Sequence, residues 1–262
     1  MIFKNNIFII VNRINSYILL TTIFLIIPYK EVFAGPPFLT DDPETVEYKH
    51  TEINIYSQGI YTKNEGETVL PGVDANFGIL PDVQMHLLAQ MPYNATNGQS
   101  TYYGNGDTEL GIKYRFLNES EGAWWPQIAI YPAIDFPTGN ASKNLGTGYT
   151  HEFFPVWIQK DFNNWQTFGG GGYWNNPGIE NKNYWFFGWA LQNKITDKLT
   201  LGVELFHQTA SAINIPDSSG FNLGGTYDLN KNYHILFSTG HGIENSSDTN
   251  QFSYYLALQL TY

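Results

Sequence analysis

Residues 107–117 read Asp-Thr-Glu-Leu-Gly-Ile-Lys-Tyr-Arg-Phe-Leu, and the chemistry changes side at every step. Thr108, Leu110, Ile112, Tyr114 and Phe116 share one face, and Glu109, Gly111, Lys113 and Arg115 share the other. A period of two is that of a β-strand. The same alternation sets Ile128, Ile130, Pro132, Ile134 and Phe136 against Gln127, Ala129, Tyr131, Ala133 and Asp135. It sets Leu199, Leu201, Val203 and Leu205 against Thr200, Gly202, Glu204 and Phe206. At the C-terminus Phe252, Tyr254, Leu256, Leu258, Leu260 and Tyr262 oppose Gln251, Ser253, Tyr255, Ala257, Gln259 and Thr261. A secreted sandwich or lipocalin-like barrel would also alternate, because a half-buried sheet has one wet face. In a small soluble barrel, however, the interior is the apolar side. Here the apolar face often ends in Trp, Tyr or Phe, and the acids and lysines take the opposite face. That inversion is expected of a barrel whose outside meets lipid.

Twelve segments carry strand signals: about 51–62, 68–79, 83–93, 107–117, 125–137, 151–162, 165–174, 184–194, 199–210, 221–229, 233–241 and 251–262. Most are near the roughly 9–11 residues of a tilted membrane strand. Every second connection is mostly short, as at Leu80-Pro81-Asp82, Asn163-Asn164 and Asn230 to Asn232. The others are mostly longer and polar: Asn94 to Gly106, Thr138 to Thr150, Asn175 to Asn183, Ser211 to Gly220 and Gly242 to Asn250. Short periplasmic turns alternating with longer extracellular loops mark outer-membrane barrels. The fold class expected is therefore all-β: a transmembrane antiparallel β-barrel of about twelve strands, with both ends in the periplasm.

Composition narrows the function classes. The chain of 262 residues has no cysteine, a formal charge of −11 and 14% charged residues, against about 25% in a typical soluble domain. Without cysteine there is no disulfide framework, thiolate zinc site or thiol nucleophile. The acidic balance argues against nucleic acid as a partner. No cofactor motif appears. Residues 1–34 read as a secretory signal: Lys4 and Arg13, an apolar run from Ile18 to Ile27, and Val32-Phe33-Ala34 before a cut. The alternative is an uncleaved anchor helix, although Lys30 and Glu31 follow too soon for the roughly 20 apolar residues of a span. The expected organisation is a signal at 1–34, a periplasmic segment at 35–50 and a barrel at 51–262. The location expected is the outer membrane of a Gram-negative bacterium. Its lipids and the barrel-assembly machinery, which reads an aromatic C-terminus such as Tyr262, are the expected partners, with a small-molecule solute.

The chain resembles a known family in several places. Gly35-Pro36-Pro37-Phe38-Leu39-Thr40-Asp41-Asp42-Pro43-Glu44 resembles its opening. Gly106 to Phe116, Phe136-Pro137-Thr138-Gly139, Phe154-Pro155-Val156-Trp157, the Gly169 to Gly172 run with Tyr173-Trp174, and Leu199 to Glu204 continue the match. The family is the one labelled "MetA-pathway of phenol degradation", and the resemblance covers essentially the whole of 35–262. It implies an outer-membrane β-barrel of a transporter-like kind, and it supplies no functional residues.

Parity places Glu52, Asp74, Glu109, Asp135, Glu204 and Asp228 inward, with Lys113, Arg115 and Lys194 as the inward bases. Tyr131, Trp157, Phe186, Phe206 and Tyr255 are inward aromatics. An acid-rich lumen favours cations or neutral solutes over anions. With Arg115 the only arginine after residue 34, an arginine-lined path for acidic sugars or phosphate is not expected. The expected function is passive passage or binding of small neutral or weakly polar solutes, aromatic ones included. Tyr131, Trp157 and Phe206 would line the path, and Glu109, Lys113, Arg115, Asp135 and Glu204 would set its charge selectivity. Read equally, Glu204, Lys113 and Arg115 pair with one another and fill a narrow barrel. If Leu117 pairs with Trp125, Glu109 lies opposite residue 133 and one diagonal from Asp135. The segment Asp41-Asp42-Pro43-Glu44 reads as a turn, or as a short plug or ion site at the barrel floor.

The chain is not expected to be an enzyme. No Gly-x-Ser-x-Gly motif is present. The hydrolase alternative rests on His207 or His241, both outward near the outer leaflet, with Ser211 just above His207. A closed structural or adhesive barrel is the other alternative. His86, His151 and His234 read as single wall residues and no metal site is expected. Gly169 to Gly172 lie inside a strand with no Gly-Lys-Ser/Thr after them, so they are not a phosphate cradle; they leave room for a bulge or a close approach.

Overall fold

A computed structural model of the protein describes residues 36–96, 100–120 and 122–262. The signal segment at 1–34 lies outside the described residues. Alternation builds the wall: β1 (Thr51–Tyr61), β2 (Glu65–Leu80), β3 (Val83–Thr96), β4 (Tyr102–Tyr103), β5 (Thr108–Leu117), β6 (Gln127–Ile130), β7 (Ala133–Phe136), β8 (His151–Phe162), β9 (Trp165–Asn175), β10 (Tyr184–Thr196), β11 (Leu199–Gln208), β12 (Ser218–Asp228), β13 (Tyr233–Glu244) and β14 (Phe252–Thr261). β4 only extends the tip of β3. β6 and β7 are one strand between β5 and β8, interrupted at Tyr131-Pro132, where proline has no N–H for the ladder. Twelve antiparallel strands remain, and β1 closes on β14 from Glu52↔Thr261 to Tyr61↔Phe252. Closure leaves no unpaired edge, the condition for a sheet to cross a bilayer.

The burial pattern is inside-out. In β5, Glu109, Gly111 and Lys113 are buried while Leu110, Ile112 and Tyr114 are exposed. The outer wall carries exposed Ile55, Val73, Leu87, Ile112, Val156, Ile158, Leu201 and Leu223. Rings flank this band, with Phe116, Phe162, Trp165, Tyr233 and Tyr262 at the short-turn end and Tyr93, Phe154, Trp185 and Phe252 toward the other. An apolar band between aromatic girdles is the surface that lipid solvates.

The one register difference from expectation lies between β5 and β6–β7. Tyr114 pairs with Ile130 and Glu109 with Asp135 directly. The turn before β6 is longer than the pairing of Leu117 with Trp125 assumed, and the ladder shifts between Arg115 and Leu117. Pro126 cannot donate to the ladder, Trp125 turns its Nε1–H to the Asn118 carbonyl, and the strand starts at Gln127.

Candidate functional site

Residues 36–46 do not alternate and contain three prolines, so nothing in them suits a wall strand. They fold back from Thr51 into the lumen as a strap. Phe38, Thr40, Asp41 and Pro43 are buried. Near the short-turn end the Val46 N–H donates to Gln84 Oε1 at 2.9 Å, and Gln159 Nε2 donates to Glu44 Oε1 at 2.7 Å. Higher up, Lys113 Nζ lies 2.9 Å from the Asp41 carboxylate and donates to the Asp42 carbonyl at 3.0 Å. On the opposite wall Glu204, fully buried, receives four donors. Thr40 N–H reaches Oε1 at 2.5 Å and Thr40 Oγ1 at 2.6 Å; Leu39 N–H and Asn222 Nδ2 reach Oε2 at 3.1 and 2.6 Å. Phe38 packs with Phe168 and Ala190, and Ser238 Oγ donates to the Pro37 carbonyl at 2.6 Å.

Gly188 on β10 is what lets Thr40 approach. A Cβ there would overlap Thr40 Oγ1. Gly188→Ala is therefore expected to displace the strap while leaving the ladder intact, because the overlap is with the strap and not with the neighbouring strands. Limited proteolysis followed by mass spectrometry should show faster cleavage within residues 36–46. Unchanged cleavage would mean the wall gives way instead.

The lumen has two unlike halves. On one side Tyr131, Phe153, Trp157, Trp174, Tyr184, Phe186 and Phe206 form a packed cluster, with Phe153 and Trp174 stacked at 4.5 Å. The glycine run makes this packing close. Gly170 sits at φ +156 with the Trp157 ring over it, and a Cβ at Gly172 would meet Phe153 at 2.5 Å. No bulge forms; all four glycines stay paired to both neighbouring strands.

The other half is polar. His86 bridges two carboxylates, with Nδ1 3.0 Å from Asp74 and Nε2 3.0 Å from Glu109. Asn54 and Asn76 donate to Asp74 at 3.2 and 2.9 Å. Tyr131 stands edge-on to His86 at 5.6 Å and its ring faces Lys113 Nζ at 5.2 Å. Between this wall and the strap lies a cavity of about 280 Å³. On the strap, burial pushes the Asp42 carboxyl up to about 8, against the opposing pull of Lys113.

Of the residues singled out by parity, Glu52, Asp74, Glu109, Lys113, Tyr131 and Tyr255 line this cavity. Glu204 holds the strap from the opposite wall. Trp157 and Phe206 belong to the packed cluster behind it. Asp135 is opposite Glu109 and only half-buried. Arg115 stands apart at the short-turn rim, where its Nη2 meets Asp82 at 2.8 Å and holds the Asp82 carboxyl below its usual range. So Glu204, Lys113 and Arg115 do not pair with one another, as the filled-barrel reading supposed; each has a different partner. Thr40 and Asp41, the partners of two of them, carried one signal in the sequence, a proline-bounded polar segment before the first strand. His86, read as a single wall residue, joins two carboxylates, and among the described residues no group of His, Asp and Glu side chains is disposed to hold a metal ion.

The geometry on the outer wall does not favour hydrolysis. His207 Nδ1 meets Ser219 Oγ at 2.8 Å, not Ser211. The nearby carboxylate, Glu244, accepts from the same Ser219 hydroxyl at 3.1 Å, whereas a triad needs it on the imidazole. Ser211 is buried among loops, and His241 Nδ1 faces the Gly242 carbonyl at 2.5 Å.

Residues 40–260 match the family described as "Putative MetA-pathway of phenol degradation". The chain belongs to this family. No curated protein matches the sequence. Among solved structures, this MetA-pathway family member is similar to the COG4313 outer membrane channel from Pseudomonas putida F1, with a TM-score of 0.69 at 14% identity over 84% of this chain and 98% of that one. It is also similar to the KdgM porin in complex with disordered oligogalacturonate (TM-score 0.50, 11% identity, 80% and 99% covered). The translocator domain of the autotransporter NalP from Neisseria meningitidis gives 0.52 at 9% identity, over 82% and 88%. Such low identities speak for the fold alone. That fold is the outer-membrane barrel, and it places this MetA-pathway family member in the outer membrane of a Gram-negative bacterium, among its lipids.

Proposed function

We propose that this barrel passes or binds small neutral or weakly polar solutes, aromatic ones included, through a lumen narrowed by its own strap. The observation that carries this reading is the cavity of about 280 Å³ beside the strap, walled by tyrosines and by Glu109, Lys113 and Asp74. A cavity near the lower end of ligand-pocket sizes, roughly 300 Å³, suits a small solute and excludes an oligosaccharide. The acid excess along it favours cations and neutral molecules over anions. In this reading Glu109 and Lys113 set charge selectivity, Tyr131 offers a face to rings, and Glu204 sets how far the strap closes the path. Trp157 and Phe206 stiffen the aromatic side. Arg115 and Asp135 act only at the two mouths. The signal at 1–34 is removed in this reading, which leaves the strap free to enter from the periplasmic end.

The test is planar-bilayer recording of the folded, signal-free chain in a salt gradient, with liposome swelling by small neutral solutes. A small steady conductance with cation preference, and swelling by a phenol-sized solute but not by a disaccharide, is expected. Folded barrels that neither conduct nor swell vesicles would overturn the reading and favour a closed structural barrel.

A further inference from the structure

We infer that the outer end of the lumen cavity is a binding site for a single neutral polyhydroxylated ring, a pyranose or cyclitol, held by the Asn250 and Gln58 amides over the Tyr255 ring. This rests on the lumen being the solute path and names one class of solute that it takes.

The cavity lining runs from Val46 and Gln259 toward the short-turn end to Asn250 at the other. Register fixes the levels between them. Glu52 lies opposite Thr261 at the short-turn end, and Asp74 lies opposite Asn54. Farther out, Gln58 lies opposite Tyr255 and Ile60 opposite Ser253. Ser238 is level with Tyr255, and Asn222 faces Gly240, which faces Ser253. From Gln58 outward, none of the lining residues on β1, β12, β13 and β14 is charged. They are amides, hydroxyls and tyrosine.

A chain of hydrogen bonds runs through this level in one direction. Ser253 Oγ donates to Asn222 Oδ1 at 3.4 Å, and Asn222 Nδ2 donates to Glu204 Oε2 at 2.6 Å. A serine hydroxyl has one proton, and Ser253 directs it to Asn222. It therefore accepts from Asn250, whose Nδ2 lies 3.1 Å away. That sets the Asn250 amide with its Oδ1 left over. Asn250 is 6% exposed and lines the cavity, yet its Oδ1 accepts from nothing. A buried carbonyl is ordinarily paired, so this one is fitted to a donor that a guest brings. The backbone holds it in place. Gly242 N–H donates to the Asn250 carbonyl at 2.7 Å, and Gln251 N–H donates to the Tyr61 carbonyl at 2.8 Å. An acceptor fixed in advance binds without further ordering of the protein.

The surroundings select the guest. Amides and hydroxyls offer a cation no charge partner, and this part of the lining has no basic side chain to meet an anion. A hydroxyl donates and accepts at once. A ring bearing several can donate to Asn250 Oδ1 and still meet the Gln58 amide and the Ser253 hydroxyl. The Tyr255 hydroxyl on the same lining is also buried and unpartnered. The Tyr255 ring stacks on Tyr56 at 5.4 Å and offers an apolar floor to the C–H face of the guest. Aromatic surface with a few placed polar groups is the usual make-up of a small-molecule site.

The experiment is a ligand-observed NMR titration of the folded, signal-free chain in zwitterionic detergent. The probes are methyl glucoside and, separately, methyl glucuronide, which carries a carboxylate in place of the hydroxymethyl group. The glucoside is expected to bind about tenfold tighter, because the acids elsewhere on the lining repel the glucuronide. Asn250→Leu and, separately, Gln58→Leu should each weaken glucoside binding about three- to tenfold, the effect of one neutral hydrogen bond. Heat-modifiable gel migration shows whether each variant is a folded barrel; if Asn250→Leu does not fold, Gln58→Leu alone decides. Equal affinity for the two probes overturns the site, and so does undiminished glucoside binding in a folded variant. No glucoside binding by a barrel that still swells vesicles with small neutral solutes overturns the site and leaves the solute path standing. No binding by a barrel that neither conducts nor swells vesicles removes both.

Discussion

Replacing Glu204 with alanine is expected to raise the single-channel conductance several-fold while the barrel stays closed. Four hydrogen bonds hold the strap and its neighbour to this side chain. Thr40 N–H, Thr40 Oγ1, Leu39 N–H and Asn222 Nδ2 all end on this one carboxylate. Alanine leaves them buried with no acceptor, at about 1–3 kcal/mol for each one. Three of the four belong to the strap, which can regain water by leaving. Even two such losses shift the docked-to-free ratio by roughly a hundredfold, since about 1.4 kcal/mol is a factor of ten. The ladders on both sides of Glu204, to Ala190 and to Asn222, do not depend on its side chain. Recording and proteolysis on one preparation separate the outcomes. Higher conductance with faster cleavage within residues 36–46 is expected. A variant that is folded, conducts as the parent does and keeps its strap protected would show that Glu204 is not the latch. Glu204→Gln, which keeps one acceptor oxygen and turns the other into a donor, should fall between the two.

The wall was legible in the sequence, whereas the strap showed only as a turn or a short plug with its contacts hidden, for a physical reason. A wall strand writes its environment into every second residue, so Glu109 and Lys113 declare themselves inward and Ile112 and Tyr114 outward without knowledge of any partner. The closed ladder and the burial pattern agree with that reading. Register is harder. Glu109 lies opposite Asp135 because a turn containing Pro126 consumes residues that strand propensity alone assigns to the wall. The strap carries no period at all, and its contacts lie far along the chain. Thr40 and Glu204 are 164 residues apart, and Asp41 and Lys113 are 72 apart. Each looks ordinary alone: Thr-Asp-Asp-Pro as a turn, Glu204 as one more inward acid. Only closure of the barrel makes them neighbours. Gly188 shows the same thing from the wall side. A glycine in a strand signals a close approach, but the sequence does not say that the approaching group is Thr40.

The polar half of the lumen and the strap are electrostatically one system, which gives the second large expectation. Lys113→Met keeps the length of the side chain and removes the charge that meets both the Asp41 carboxylate and the Asp42 carbonyl. Stranding a buried carboxylate by removing its partner costs about 3–5 kcal/mol, so at pH 7 the strap should leave and the conductance should approach that of Glu204→Ala. The effect should reverse in acid, because neutral carboxyls can stay inside without a cation. The parent chain should show a weaker form of this dependence. Burial holds the Asp42 carboxyl at about 8 in the docked strap, against about 4 when free. A raised value means that the docked state binds the extra proton. Its contribution to docking is therefore full below about pH 4 and is lost as pH rises through about 8. The charged groups facing Asp42 are Lys113, Asp41 and Glu44; only the first opposes the rise. Conductance of the parent should climb toward alkaline pH, Asp42→Asn should flatten that climb, and Lys113→Met should begin its climb at lower pH. A Lys113→Met barrel that conducts like the parent at both pH 4 and pH 8 would separate the strap from this ion pair and leave it to Glu204 and the contacts of Val46, Glu44, Pro37 and Phe38.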